Sequence, residues 1–310
     1  MRLMVLAATA AMAVSGCGKT ENSAVRTAQQ PAVTTAQSGN GAPYVLTGTQ
    51  VWDVPDPISG RKYQVFVSLP ASYEIDAQRR YPVLYVTDAD YAFPVIRSMA
   101  RRLNLDRPKV DDFILVGLSY AEGDKGASSR RRDYTPTPNG PSSSPPGEVH
   151  GGSAAYRQYI REQVLPFVEG TFRADPGQRT ILGHSYGGLL GAEFLLNEPE
   201  LFNGYILGSP SFWFDKKHML KVEAEYAKAH KDLPARVFMY VGGYETVKAG
   251  DARYNSDADL VQDMKLFERT VKGRGYPGLT ISSDVLPGED HLTVAPSGFA
   301  RGLMTILPAR

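Results

Sequence analysis

Ser185 lies in Gly183-His184-Ser185-Tyr186-Gly187, and a serine in Gly-x-Ser-x-Gly spacing can do covalent chemistry. The run from Arg179 to Leu182 enters the motif as a strand. A helix-like apolar run leaves it and continues through Leu196. Strand, turn and helix in that order are the context of a nucleophile elbow. Gly183 and Gly187 carry no Cβ to clash in a tight turn, and Gly188 lets the helix start close to the sheet. The helix start then points N–H groups at the reacting oxygen, where negative charge develops.

A serine hydroxyl is a weak nucleophile at neutral pH. It needs a base within hydrogen-bond reach and an acid group to orient that base. One chain order for such a triad is serine, acid, histidine. Downstream of Ser185, the strand Arg236 to Val241 ends in Gly242-Gly243-Tyr244-Glu245, which places Glu245 at a carboxyl end of the sheet as the acid. Asp251 and Asp215 are the alternatives, because each also lies in a loop after a predicted strand. His291 follows the last strand, in Pro287-Gly288-Glu289-Asp290-His291-Leu292, where the base is expected. His184 is better placed to pack or orient than to act as the base, and His218 and His230 sit on a charged helix. For the oxyanion, one donor is the backbone N–H of Tyr186. The second is expected from the loop after the third strand, at Ala89, Asp90 or a close neighbour, with Asp90 preferred.

The elements that position these groups alternate. Strands are read at Thr47 to Trp52, Arg61 to Leu69, Tyr81 to Thr87, Phe113 to Leu118, Gly204 to Leu207, Arg236 to Val241 and Leu279 to Val285. The first two suit antiparallel edge strands, and the apolar third suits burial on both faces. Helices are read at residues 94–103, Ser153 to Glu169 with Ser153 as cap, Lys216 to His230, Asp257 to Lys272 and Pro296 to Leu307. The alternation argues for an α/β domain with a mostly parallel central sheet and helices on both faces. Residues 120–152, with Arg130-Arg131-Arg132-Asp133-Tyr134 and then a Pro/Ser/Gly run, read as a long structureless loop over the carboxyl ends of the strands.

The chain has 310 residues and a formal net charge of +1, enough for one large α/β domain and without the charge of a nucleic-acid binder. A single cysteine excludes a disulfide framework, and no HxxxH pair points to a metal; the chemistry calls for no cofactor. Met1-Arg2, the short apolar run Leu3 to Val14 and Val14-Ser15-Gly16-Cys17 form a targeting segment of residues 1–16, too short to span a bilayer as a helix. It resembles the bacterial lipobox, which implies lipidation at Cys17, export and a membrane tether through acyl chains. Gly18 after the cysteine is similar to the pattern sent to the outer membrane from the periplasm. Residues 17–43, rich in small and polar types, read as a flexible tether, and residues 44–310 as the catalytic domain.

Tyr81–Thr87 followed by Asp88, Gly183-His184-Ser185-Tyr186-Gly187-Gly188, Gly208-Ser209-Pro210-Ser211-Phe212-Trp213 and Gly288-x-x-His291 together resemble an esterase family of α/β-hydrolases. That family includes the enterobactin and salmochelin esterases, S-formylglutathione hydrolases, some feruloyl esterases and mycobacterial mycolyltransferases. The resemblance covers residues 44–310 and implies the α/β-hydrolase fold, with Ser185 as nucleophile and His291 as base. The Ser-Pro-Ser-x-Trp element most resembles the periplasmic siderophore esterases, which linearise catecholate tri-lactones. It implies a small-molecule ester as partner, with Trp213 and the Arg130–Arg132 loop lining its site. Arg130 and Arg132 would meet an anionic ferric catecholate, and Tyr134 and Trp213 would stack on its rings. Ala89 departs from the family's usual Asp-Gly. The same triad also serves a general acyl or aryl carboxylesterase or an acyltransferase, and a non-catalytic binding lipoprotein is the third reading.

Overall fold

Apolar runs too short for helices become the centre of one sheet. Tyr81–Val86, Ile114–Leu118 and Gly204–Gly208 are buried at every position. The computed structural model describes residues 41–310, so the targeting segment, Cys17 and most of the expected tether lie outside the described residues. Leu46–Arg310 forms one unit. Among the described residues its strands are β1 (Thr49–Asp53), β2 (Gln64–Ser68), β3 (Tyr81–Val86), β4 (Ile114–Leu118), β5 (Ala174–His184), β6 (Gly204–Gly208), β7 (Arg236–Gly242) and β8 (Thr280–Leu286). They lie in the order β1-β2-β4-β3-β5-β6-β7-β8. The β1–β2 and β2–β4 pairs are antiparallel, and every other pair is parallel.

Side chains alternate across the strands and split the core in two. Leu84, Val86, Leu182, Ile206 and Tyr240 face α1 (Ala89–Leu103) and α8 (Val294–Ile306). Val83, Tyr85, Ile181 and Leu207 face a layer that includes α5 (Tyr186–Asn197) and α7 (Leu260–Gly273). All parallel strands therefore present their carboxyl ends, and the loops that follow them, on one rim.

Several elements differ from the sequence reading. Helix α1 starts at Ala89 rather than 94, because buried Ala89, Ala92 and Phe93 hold the turn before Pro94 helical. The stretch 120–152 is not structureless. It contains α2 (Gly126–Asp133), which has no apolar stripe and is fixed by polar groups. Buried Ser129 accepts from Ala121 N and donates to Asp133, and Asp133 also accepts from Tyr63. The next helix runs as α3 (Ser153–Tyr159), a π turn (Ile160–Val164) and α4 (Leu165–Thr171), and Gly152 rather than Ser153 caps it. The Ser153 hydroxyl donates to Glu193 instead. Helix α6 (Phe214–Ala229) opens with Asp215, Lys216 and Lys217 in the left-handed region, at φ of 42°, 55° and 63°. Each such residue costs roughly 1–2 kcal/mol, so tertiary contacts hold this turn.

Candidate active site

Ser185 ends the rise of β5 and precedes α5 at φ 61°, ψ −119°, a backbone state L-residues rarely adopt. Neighbours fix it. Ser185 N donates to Gly208 O at 2.8 Å, and Ser185 O accepts from Leu189 N at 3.0 Å and Ser211 N at 3.2 Å. A Cβ at Gly183 would lie 2.2 Å from the Gly187 carbonyl, so the two arms of the elbow close only on glycine. The Ser185 hydroxyl stands 3.5 Å from that of buried Ser211.

Beyond β7, a 3-10 turn (Gly243–Glu245) folds the Glu245 carboxylate into the protein, fully buried. Its Oε2 is 2.6 Å from His291 Nδ1. Its Oε1 accepts from Ser209 Oγ at 2.6 Å and Gly242 N at 2.8 Å. Burial alone would raise its pKa; the bonds from His291, Ser209 and Gly242 outweigh that and hold it below the usual carboxylate value. His291 is also held by its backbone, because His184 Nε2–H donates to His291 O at 2.8 Å. The two imidazoles pack with centroids 4.7 Å apart. Burial first, then the neighbouring His291, pushes the His184 pKa down to about 4, which keeps that ring neutral. His291 and Glu245 are thus bonded to each other, and the His184 bond to the His291 backbone ties that pair to the residue before Ser185.

The turn from β3 to α1 packs on the start of α5: a Cβ on Gly187 would strike Thr87 and reach Asp88. Asp88 makes that turn at φ 53°. Its carboxylate accepts from Arg130 Nε at 2.9 Å, Arg130 Nη2 at 3.2 Å and Tyr120 OH at 2.6 Å. Arg130 Nη2 also lies 3.4 Å from His184 O, so one guanidinium ties the turn to the elbow. Tyr186 and Asp90 sit in the first turns of α5 and α1, where N–H groups have no intrahelical acceptor. Beside Tyr186 is a cavity of about 220 Å³ walled by that residue with Arg130, Arg131, Pro141, Ser144 and Trp213. A larger one, about 490 Å³, opens by Asn104 and Phe113 at the opposite end of β4 and contains none of these groups.

An esterase family model, described as "Putative esterase", matches residues 57–278. The chain belongs to that family. It is 29% identical over 273 residues to the ferri-bacillibactin esterase BesA of Bacillus subtilis, across 86% of this chain and 91% of that protein. The siderophore hydrolase EstB from Aspergillus nidulans superposes with a TM-score of 0.70 at 26% identity, covering 86% of this chain and 96% of that one. An IroE-like serine hydrolase from Shewanella oneidensis has the same fold, with a TM-score of 0.70 at 24% identity over 83% of this chain and 79% of that one. The esterase therefore has the α/β-hydrolase fold and is a carboxylic ester hydrolase.

The esterase brings Ser185, Tyr186, Asp90, Glu245, His291, Arg130 and Trp213 to one rim and leaves other candidates elsewhere. Asp251 is engaged by exposed Arg253 at 2.7 Å, and Asp215 by Thr137 and Asn139, so neither carboxylate meets His291. Two expected substrate contacts are corrected. Arg132 turns away to Asp133 at 2.7 Å and Asp124 at 2.5 Å, and Arg131 takes its place on the cavity wall. Tyr134 is 1% exposed, with its ring against Tyr156 and its hydroxyl accepting from Asp88 N, so no ring can stack on it. Ser209 and Ser211 carry site geometry that the sequence reading left without a role, whereas His184 packs on and holds His291, as its place beside the serine suggested. The signal was the pair of small hydroxyl residues around Pro210, directly after β6.

Proposed function

We propose that this esterase cleaves the lactone esters of a catecholate siderophore through an acyl-enzyme on Ser185. Ser185 Oγ attacks the ester carbonyl while His291 takes its proton. The Tyr186 and Asp90 N–H groups hold the oxyanion, and Glu245 orients the imidazole and stabilises its charged form. The tetrahedral intermediate collapses with cleavage of the ester C–O bond, and His291 gives the proton to the departing alkoxide of the lactone ring. Water, deprotonated by His291, then attacks the acyl-enzyme, releasing the linearised acid and restoring Ser185. The Glu245–His291 pair at 2.6 Å, beside the Ser185 elbow, carries this reading.

Support for the substrate comes from relatives named for siderophore esters and from the cavity itself. Tyr186 and Trp213 offer aromatic faces, and Arg130 and Arg131 offer positive charge partly balanced by Asp88 and Glu148. About 220 Å³ is below the size that encloses a drug-sized ligand, so the cavity takes one catecholamide arm while the rest of the tri-lactone stays outside. Export with a lipid tether at Cys17 belongs to the same proposal, supported by the apolar leader and Val14-Ser15-Gly16-Cys17. A paired assay on the full chain tests the substrate: p-nitrophenyl esters against ferric and iron-free enterobactin, with products resolved by mass. Siderophore cleavage at a kcat/KM well above that of simple esters is expected. Cleavage of simple esters alone would discard the siderophore.

A further inference from the structure

The long segment after α2 and the left-handed start of α6 meet at one carboxylate. Asp215 accepts from Thr137 Oγ1 at 2.7 Å and Asn139 Nδ2 at 3.1 Å, partners more than 70 residues away in sequence. We propose that Asp215 is a specificity-positioning residue, clipping the 137–150 strap to the Trp213 wall and so fixing the cavity that receives an aromatic acyl group. This rests on the reading that Ser185 is the reaction centre.

The strap has a second anchor. His150 lies against Phe214, centroids 6.0 Å apart, and its Nε2 is 3.4 Å from Ser144 Oγ. Phe214 in turn meets Tyr186 edge-on at 5.8 Å. Pro141 and Ser144, which face Trp213 and Tyr186 across the cavity, thus hang between two attachment points. Both attachment points lie within two residues of Trp213. Three successive left-handed residues are needed to aim Asp215 at the strap while Lys217 is turned to Asp263 at 2.5 Å. A right-handed start to α6 would remove that strain and point the carboxylate elsewhere, so the costly turn and the clip belong together. The two donors hold the Asp215 carboxyl below its usual pKa, and the clip therefore uses the charged form. Small acyl groups need no ordered strap, whereas an aryl group packed between Trp213 and Pro141 does.

Two chromogenic esters with one leaving group separate these cases: p-nitrophenyl acetate and p-nitrophenyl cinnamate, both with the full chain. Asp215→Ala is expected to raise KM for the cinnamate about tenfold, the order of one charge-assisted hydrogen bond, and to leave its kcat unchanged. Acetate hydrolysis stays within about twofold. Asp215→Asn, which tolerates the left-handed turn and keeps one acceptor, should recover the cinnamate KM to within about threefold. The pair Thr137→Val with Asn139→Ala leaves the turn intact and should reproduce the alanine effect; it carries the test if Asp215→Ala does not fold. Equal losses on both esters, or no change on either, would overturn the clip. Ser185→Ala run alongside keeps the two readings apart, because retained hydrolysis there refutes the nucleophile and not the clip.

Discussion

His184 is a neutral, buried imidazole one residue from the elbow serine, and replacing it with glutamine should change how stability depends on pH. In the folded chain its pKa lies near 4 rather than the usual 6.5, because burial and His291 disfavour its charged form. Above pH 6.5 the ring is neutral in both states and contributes nothing to the pH dependence. As pH falls below 6.5 the unfolded chain takes up a proton that the folded chain refuses, so stability drops until about pH 4. The gap between 6.5 and about 4, at 1.36 kcal/mol per pH unit, sets a ceiling of about 3 kcal/mol. Roughly 2.5 kcal/mol of it is lost by pH 4.5. A glutamine amide can donate to the same His291 carbonyl but cannot protonate. Urea unfolding of wild type and His184→Gln at pH 7.5 and 4.5 gives the difference directly, since every other titrating group is common to both. Wild type should lose about 2–2.5 kcal/mol more than the variant. Parallel pH dependences, within about 0.5 kcal/mol, would refute a neutral buried His184.

Three further outcomes follow from the same geometry. Glu245→Gln should cut kcat about 10³–10⁴-fold on p-nitrophenyl acetate. Ser209 and Gly242 both donate to Oε1, which forces the new amide nitrogen towards His291 and the proton onto the wrong imidazole nitrogen. Ser209→Ala removes one of those donors and is expected to lower kcat about tenfold with KM unchanged, read from steady-state kinetics. Gly183→Ala places a Cβ against the Gly187 backbone and should lower the stability of the domain by about 3 kcal/mol or more, seen in its urea midpoint.

Much of this arrangement was legible from local pattern. Fully buried strands such as β3 and β6 are apolar runs, and the elbow announces itself through glycines at positions where a Cβ meets backbone. Glu245 could be located because Gly242 ends β7 and Gly243 opens the turn after it, and Gly242 N also donates to its carboxylate. What stayed hidden depends on partners far along the chain. Helix α2 has no apolar stripe, and its anchors, Tyr63 and Ala121, lie outside it. Tyr134 and Arg132 read as surface groups in a basic run, yet one is sealed under Asp88 and the other is held by two aspartates. The left-handed turn at Asp215–Lys217 contains no glycine, and its two lysines seldom adopt that backbone state, so only Asp215 hints at it in the sequence.

In the proposed reaction Ser185 forms the acyl-enzyme with a catecholate tri-lactone. The most direct measurement is the rate of ferric enterobactin hydrolysis by Ser185→Ala beside wild type, with both proteins shown to unfold at the same urea midpoint. A fall of about 10⁴-fold or more is expected, leaving only what binding and the oxyanion donors supply. Hydrolysis within about tenfold of wild type would contradict the assignment.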